Sequence, residues 1–172
     1  MTVLQTMRNR YSVRAYLPRA VEIEKINAIL EAARIAPTAA NRQPQRILVV
    51  RVPEQLAKFC KVCHFRESPL VFIVCVQRGE SWVRTCDRFN AAVVDASIVT
   101  DHMMLEATEL GLGSLWMSAF DPEALRREFS IPENLTPVNI LCVGYADGPA
   151  PSPERFVQGR KPLEQIVFWE RF

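Results

Sequence analysis

The chain has 172 residues, of which 49% are hydrophobic and 23% charged, with a formal net charge of +2. That length and balance predict one folded domain over residues 1–172 with a substantial core, and exclude a disordered or fibrous chain. So small a charge, with no Lys/Arg cluster after Arg19, also excludes a groove-binding stripe for nucleic acid.

Taken in order, Thr2 is placed to cap a short helix carrying Val3, Leu4 and Met7 on one face and ending near Arg8. Residues 10–14, Arg-Tyr-Ser-Val-Arg, follow. In an extended backbone Arg10, Ser12 and Arg14 share one side, offering two forked cations and a hydroxyl, the donor set a phosphate monoester needs. Residues 1–21 hold four arginines and no acid. Alone, the same pattern also describes a solvated basic strand. A second helix is predicted from Ile23, Ile26, Ile29, Leu30 and Ala33 at helical spacing, stopped by Pro37. The loop 36–44 is slim, stiffened by Pro37 and Pro44, and carries two side-chain amides, Asn41 and Gln43. It suits either a flat ligand's approach or a plain helix-to-strand connection.

Residues 47–50 predict a buried strand, and Pro53 starts a helix through Leu56, Phe59, Cys60 and Cys63. Residues 70–76 are a nearly continuous apolar strand, covered on both faces, and 78–87 a loop. A long helix over 88–110 is apolar around most of its circumference, which favours an oligomer interface on part of it. Gly111 ends it, and a short strand follows through Trp116, Met117 and Ser118. Asp121 and Pro122 cap and open another helix, and 138–143 is a third confident strand. The Pro-rich stretch 147–162 is expected to be irregular. The apolar arm 163–172 needs cover, and docking onto a second copy provides it.

The five cysteines are odd in number and scattered, which suits reduced thiols in a cytoplasmic protein. No secretion signal is evident in residues 1–8, and the acids Asp95, Asp101, Glu106 and Glu109 rule out a membrane span over 91–110.

In this order the residues resemble the FMN-dependent nitroreductase family, as a short, single-domain member. Residues 10–14 resemble its N-terminal phosphate motif, and 32–44 its Ala-Pro-Ser-x-x-Asn-x-Gln-Pro segment. Residues 110–116 are similar to its Gly-x-Gly-x-x-Trp strand, Gly144-Tyr145 to a strand end, and residues 160–163 to its Arg-Lys-Pro-Leu element. The resemblance implies an α+β fold, a central mixed β-sheet flanked by helices, in a homodimer with exchanged C-terminal arms. Arg10, Ser12, Arg14 and Arg160, with Lys161 beside it, would hold the FMN phosphate, Tyr11 contributing backbone. Pro37, Thr38, Asn41 and Gln43 would come from the other subunit. Trp116, Met117 and Ser118 would lie by the isoalloxazine, with backbone N–H groups near N5 and O4. NADH or NADPH would donate hydride in a ping-pong cycle to a nitroaromatic, quinone or similar small-molecule acceptor. A reductase of enones or halogenated substrates, or a flavin-storage protein, is the alternative. Lys61 and Arg66 compete for the flavin pyrimidine.

Other constellations carry less. Residues 60–64, Cys-Lys-Val-Cys-His, spell a haem-attachment pattern that lacks the export route haem attachment needs, and no zinc-type pairing accompanies them. Packing thiols on one helix face are expected, with a redox dithiol as the alternative. His102 is expected to be a hydrogen-bonded buried imidazole, and Asp95 a structural carboxylate that takes an arginine or backbone donors. No acid–base set stands out, so the chemistry falls to the flavin.

Overall fold

The computed structural model describes residues 1–64, 66–152 and 154–172, with Gln158 by its backbone alone. Its centre is β2 (Leu70–Val76), buried at all seven positions. Strand β2 pairs antiparallel with β1 (Gln45–Val50) on one side and with β4 (Thr136–Gly144) on the other. Strand β3 (Gly113–Met117) pairs antiparallel with the outer side of β4, giving the order β1-β2-β4-β3. The four strands pair antiparallel throughout, and among the described residues the one parallel pairing is a bridge from Ser12 to Ser114 of β3.

Alternation along β2 explains its unbroken apolar run. Leu70, Phe72, Val74 and Val76 face α2 (Ile23–Ile35) and α4 (Ala92–Glu109). Val71, Ile73 and Cys75 face the opposite layer, built from Phe59, Leu125 and Ile131. A strand with helices over both faces has no polar side to show. The 18 residues of α4 span about 27 Å. Small side chains, Ala92, Ala96 and Ala107, let it lie close against the sheet and α2.

Several elements match the sequence closely. Thr2 forms a full capping box on α1 (Val3–Asn9), and Gly111, at φ 75°, ends α4. Asp121 accepts from the backbone N–H groups of Glu123 and Ala124 and so caps α5 (Pro122–Phe129).

Others differ for identifiable reasons. Strand β1 is an edge strand whose exposure alternates, with Leu48 open to solvent, so it is not uniformly buried. The segment opened by Pro53 is α3 (Pro53–Leu56) followed by a tighter turn over Ala57–Lys61. Helix α4 starts four residues later than expected. Asp87 accepts from the Arg84 guanidinium and the Phe89 N–H, Arg88 turns left-handed, and the Asn90 side chain accepts from the Ala92 N–H. A sixth helix, α6 (Arg155–Gly159), interrupts the Pro-rich stretch. The arm holds one short turn at Leu163–Gln165 and leaves Ile166, Phe168, Trp169 and Phe172 exposed.

Candidate cofactor site

The basic stretch begins where α1 stops. The Arg10 N–H donates to Thr6 O at 3.0 Å, and the chain then runs extended. Val13 pins it to the sheet: its N–H donates to Ser114 O at 2.9 Å and its side chain is buried. Gly113 makes that approach possible, since a Cβ there would stand 2.5 Å from Val13 Cγ2. With Val13 inward, the alternation turns Ser12 and Arg14 the other way, and Arg14 is exposed, its Nη1 donating to Ser12 O at 3.3 Å. Tyr11 is half-buried. The Tyr16 hydroxyl donates to Val13 O and Cys142 O, and burial pushes its pKa up. Val13 buried and Arg14 exposed are the alternation expected at these two positions.

Arg155 completes this end. Its Nη2 donates to Arg8 O at 2.6 Å and Arg10 O at 3.1 Å, fastening α6 against the end of α1. Arg160 and Lys161 follow α6 directly, and the Arg160 guanidinium lies 5.9 Å from the centre of the Phe156 ring. Nothing in the sequence distinguishes Arg155 from a solvated arginine.

Strand β3 is the outer edge beside this stretch. Because Ser114 turns its C=O outward to Val13, Trp116, two residues on, presents its own N–H and C=O to the same edge. The side chains go elsewhere. Trp116 Nε1 donates to Asn139 Oδ1 at 2.9 Å, and Asn139 Nδ2 to Thr100 Oγ1 at 3.2 Å, within the α4 layer. Met117 is buried on the opposite face, with its Sδ 3.6 Å from Cys142 Sγ, and Ser118 is exposed. At this edge Trp116 therefore presents its backbone, while the N–H and C=O of Met117, one residue on, turn toward β4. Ser114 Oγ is buried with no partner.

Next to Arg14 opens a cleft of ≈ 700 Å³ lined also by Tyr16, Cys60, Cys63, His64 and Arg66. Arg66, left-handed at φ 63°, shares it with Arg14. Lys61 is drawn off to Glu128, at 3.3 Å. Of the two cations considered for the pyrimidine, Arg66 is the one the fold places in the cleft. Among the described residues no His, Cys, Asp or Glu group could hold a metal.

The second half of the candidate site is the loop after α2. Past Pro37 the chain makes a tight turn at Ala39–Asn41, with Ala40, Asn41 and Gln43 left-handed. The Gln43 N–H donates to Thr38 Oγ1 at 3.0 Å, and Gln43 Nε2 to Asn41 O at 3.3 Å. Asp95, 1% exposed, accepts the Ala39 N–H at 2.8 Å, so its partner is a backbone donor. Its other oxygen is buried without a partner. His102 Nδ1 lies 3.0 Å from Ile98 O in the preceding helical turn, hydrogen-bonded as expected but half-buried rather than buried.

A single chain does not bring the two halves together. The loop is tied to α4 at Asp95, and α1 to the far end of α4, where Thr6 Oγ1 donates to Glu109 Oε2 at 2.6 Å. Fourteen positions of helix separate them by about 21 Å. They also flank opposite edges of the sheet, β1 and β3.

With this geometry in hand, the likeness to known proteins is specific. The profile of the nitroreductase family matches residues 7–64 and 53–145. A crystal structure of a nitroreductase family protein from Clostridium difficile 630 superposes with TM-score 0.97 at 45% identity, covering 100% of both chains. An FMN-dependent nitroreductase from C. difficile R20291 superposes with TM-score 0.81 at 25% identity, over 98% of this chain and 99% of that one. A Methanothermobacter thermautotrophicus protein, provisionally called an NADH dehydrogenase/NAD(P)H nitroreductase, is 33% identical over 166 residues, 89% of this chain and 80% of its own. This chain belongs to the nitroreductase family.

Proposed function

We propose that this protein is an FMN-dependent NAD(P)H oxidoreductase, reducing nitroaromatics, quinones or similar electron-poor small molecules at sites built by two chains together. The observation that carries it is the Arg10–Arg14 stretch, pinned at Val13 to the outer edge of β3, with Arg14 in the wall of a cleft that it shares with Arg66. The residues present fit FMN. The cofactor combines a phosphate dianion, a hydroxylated chain and a flat polar ring. Arg10, Ser12 and Arg14, joined by Arg160 and Lys161 after α6, supply forked cations and a hydroxyl for the first. The outward N–H and C=O of Trp116, continued toward Ser118, suit the ring's polar edge, while Tyr11 adds backbone. Pro37, Thr38, Asn41 and Gln43 are offered by the second chain, since their own chain holds them about 21 Å along α4 from its basic stretch.

When bound, FMN supplies the hydride chemistry, so the protein needs no acid–base residue of its own. The chain's own groups position and polarise. Arg14 and Arg66 outnumber the one acid in the same wall, Glu67, and make the cleft attractive to anionic groups. In the loop 38–43 the bonds of Gln43 to Thr38 Oγ1 and Asn41 O hold the Gln43 amide in place rather than ordering it on binding.

Anaerobic titration of the purified protein with NADH and NADPH tests the activity. A visible flavin band bleached by either nicotinamide is expected. A flavin band that neither bleaches points to storage, and a protein that takes up no FMN overturns the assignment. Arg14→Ala is expected to weaken FMN binding by about 1.5–3 kcal/mol, the worth of a hydrogen bond to a charged group. Unchanged affinity removes Arg14 from the phosphate site.

A further inference from the structure

The run Cys60-Lys61-Val62-Cys63-His64 has no part in holding the cofactor as described above, yet three of its side chains line the Arg14 cleft. The spacing suggested thiols packed into a helix face. Instead Cys60 is exposed and Cys63 half-buried. Cys60 lies in the tight turn Ala57–Lys61, and the N–H groups of Val62 and Cys63 both donate to Phe59 O at 2.9 Å. A turn of this kind rises about 1.5–2 Å per residue and puts residues three apart on one side. The two Cα atoms are then about 5–6 Å apart, inside the ~4.4–6.8 Å window of a disulfide. Val62, between them, is buried in the other direction. Burial first, and the nearness of Cys60 second, push the Cys63 thiol up to about 11. The pair is therefore asymmetric, with an outer sulfur open to solvent and an inner one held back as a thiol. Thiol–disulfide exchange uses that asymmetry, the outer sulfur meeting the substrate and the inner one resolving the mixed disulfide.

We propose that Cys60 and Cys63 are a dithiol–disulfide couple that exchanges with low-molecular-weight disulfides in this cleft. Cys60, having lost its proton, attacks one sulfur of the small disulfide, whose S–S bond breaks and releases one thiol carrying that proton. Cys63 then gives up its proton and attacks the Cys60 sulfur, expelling the second small thiol, which takes that proton. The small disulfide is reduced by two electrons, and the protein pair is oxidised by two. The couple stands on the geometry of the turn and does not rest on the flavin assignment.

Trypsin provides the readout, because Lys58, Lys61 and Arg66 place Cys60 and Cys63 in different peptides, 59–61 and 62–66. The purified holoprotein is incubated with oxidised glutathione, blocked with N-ethylmaleimide, digested without reductant and examined by mass spectrometry. The two peptides are expected to appear as one disulfide-linked species that dithiothreitol separates. In Cys63→Ser, which removes the resolving sulfur, glutathione is expected to remain attached to Cys60. Two separate maleimide-blocked peptides from the oxidised wild-type protein overturn the proposal. So does glutathione held on wild-type Cys60 without closure, or linkage of either cysteine to Cys75, Cys86 or Cys142.

Discussion

Glu22 is a carboxylate held well below its ordinary range. It accepts from the Tyr145 hydroxyl at 2.7 Å and from Arg19 Nη2 at 2.7 Å. The Tyr145 hydrogen bond first, then the Glu22 backbone and Arg19, hold its pKa down to about 2, against an ordinary 4.5. Lys25 Nζ donates to Tyr145 Oη and Leu110 O, so the group joins the start of α2 to the end of β4 and the close of α4. A lowered carboxylate pKa contributes stability that is complete above the unfolded value and lost as pH falls through the folded one. Tyr145→Phe removes the leading cause. In urea unfolding, the stability difference between the wild-type protein and this variant is expected to shrink as pH falls from about 4.5 to about 2. A difference constant across that window means Tyr145 does not hold Glu22. At this scale the sequence was informative where chemistry is local. The phase of Ser12 and Arg14 follows from strand alternation, and the need of Asp95 for a partner follows from its apolar neighbours. The partners of the Trp116 indole were not legible in advance, because Asn139 and the Thr100 behind it are 23 and 39 residues away in successive steps, a relation that no local pattern encodes.

Two segments of the candidate site rest partly on close contacts that can be tested one at a time. Gly113→Ala forces a Cβ to within 2.5 Å of Val13 Cγ2, both in a packed layer. Overpacking of this kind costs about 1–3 kcal/mol. Val13→Ala removes the opposing methyl groups, so Gly113→Ala is expected to cost less in that background, and a double-mutant cycle in urea measures the coupling. Additive effects show that the basic stretch is not seated through this pair. On the other side, Asp95→Ala strips the Ala39 N–H of its acceptor, which costs about 1–3 kcal/mol if the amide stays buried. Faster hydrogen exchange at Ala39 is the accompanying sign, and unchanged exchange sets the anchor aside. The elements readable in advance carry their own punctuation: Thr2 before α1, Gly111 after α4, Asp121-Pro122 before α5. Those misread depend on neighbours. Strand β1 alternates because it is an edge strand, and α4 starts late because Asp87 and Asn90 build a turn that resembles helix in composition.

At the scale of the whole molecule the chain leaves apolar surface open at α1, where Val3, Leu4 and Met7 are exposed, and along the arm, where Trp169 is 82% exposed. Apolar surface of that character suits an interface between chains, and in the two-chain site proposed above the separation of the half-sites along α4 gives the second chain a chemical task. If each FMN lies between Arg10 of one protomer and Asn41 of the other, the two defects complement. Arg10→Ala and Asn41→Ala homodimers are each damaged at both sites. A mixed dimer instead has one site with both defects and one with neither. Random reassembly of equal amounts makes half the dimers mixed, so about a quarter of all sites regain wild-type FMN affinity and turnover. Denaturing the two variants together, refolding them with FMN and measuring tight-bound flavin per chain reads that fraction directly. If each site were complete within one chain, every site in the mixture would carry a defect and refolding together would recover nothing beyond the average of the two parents. Recovery of intact sites on mixing, with none on refolding either variant alone, therefore distinguishes a cofactor shared between chains from one that each chain holds for itself.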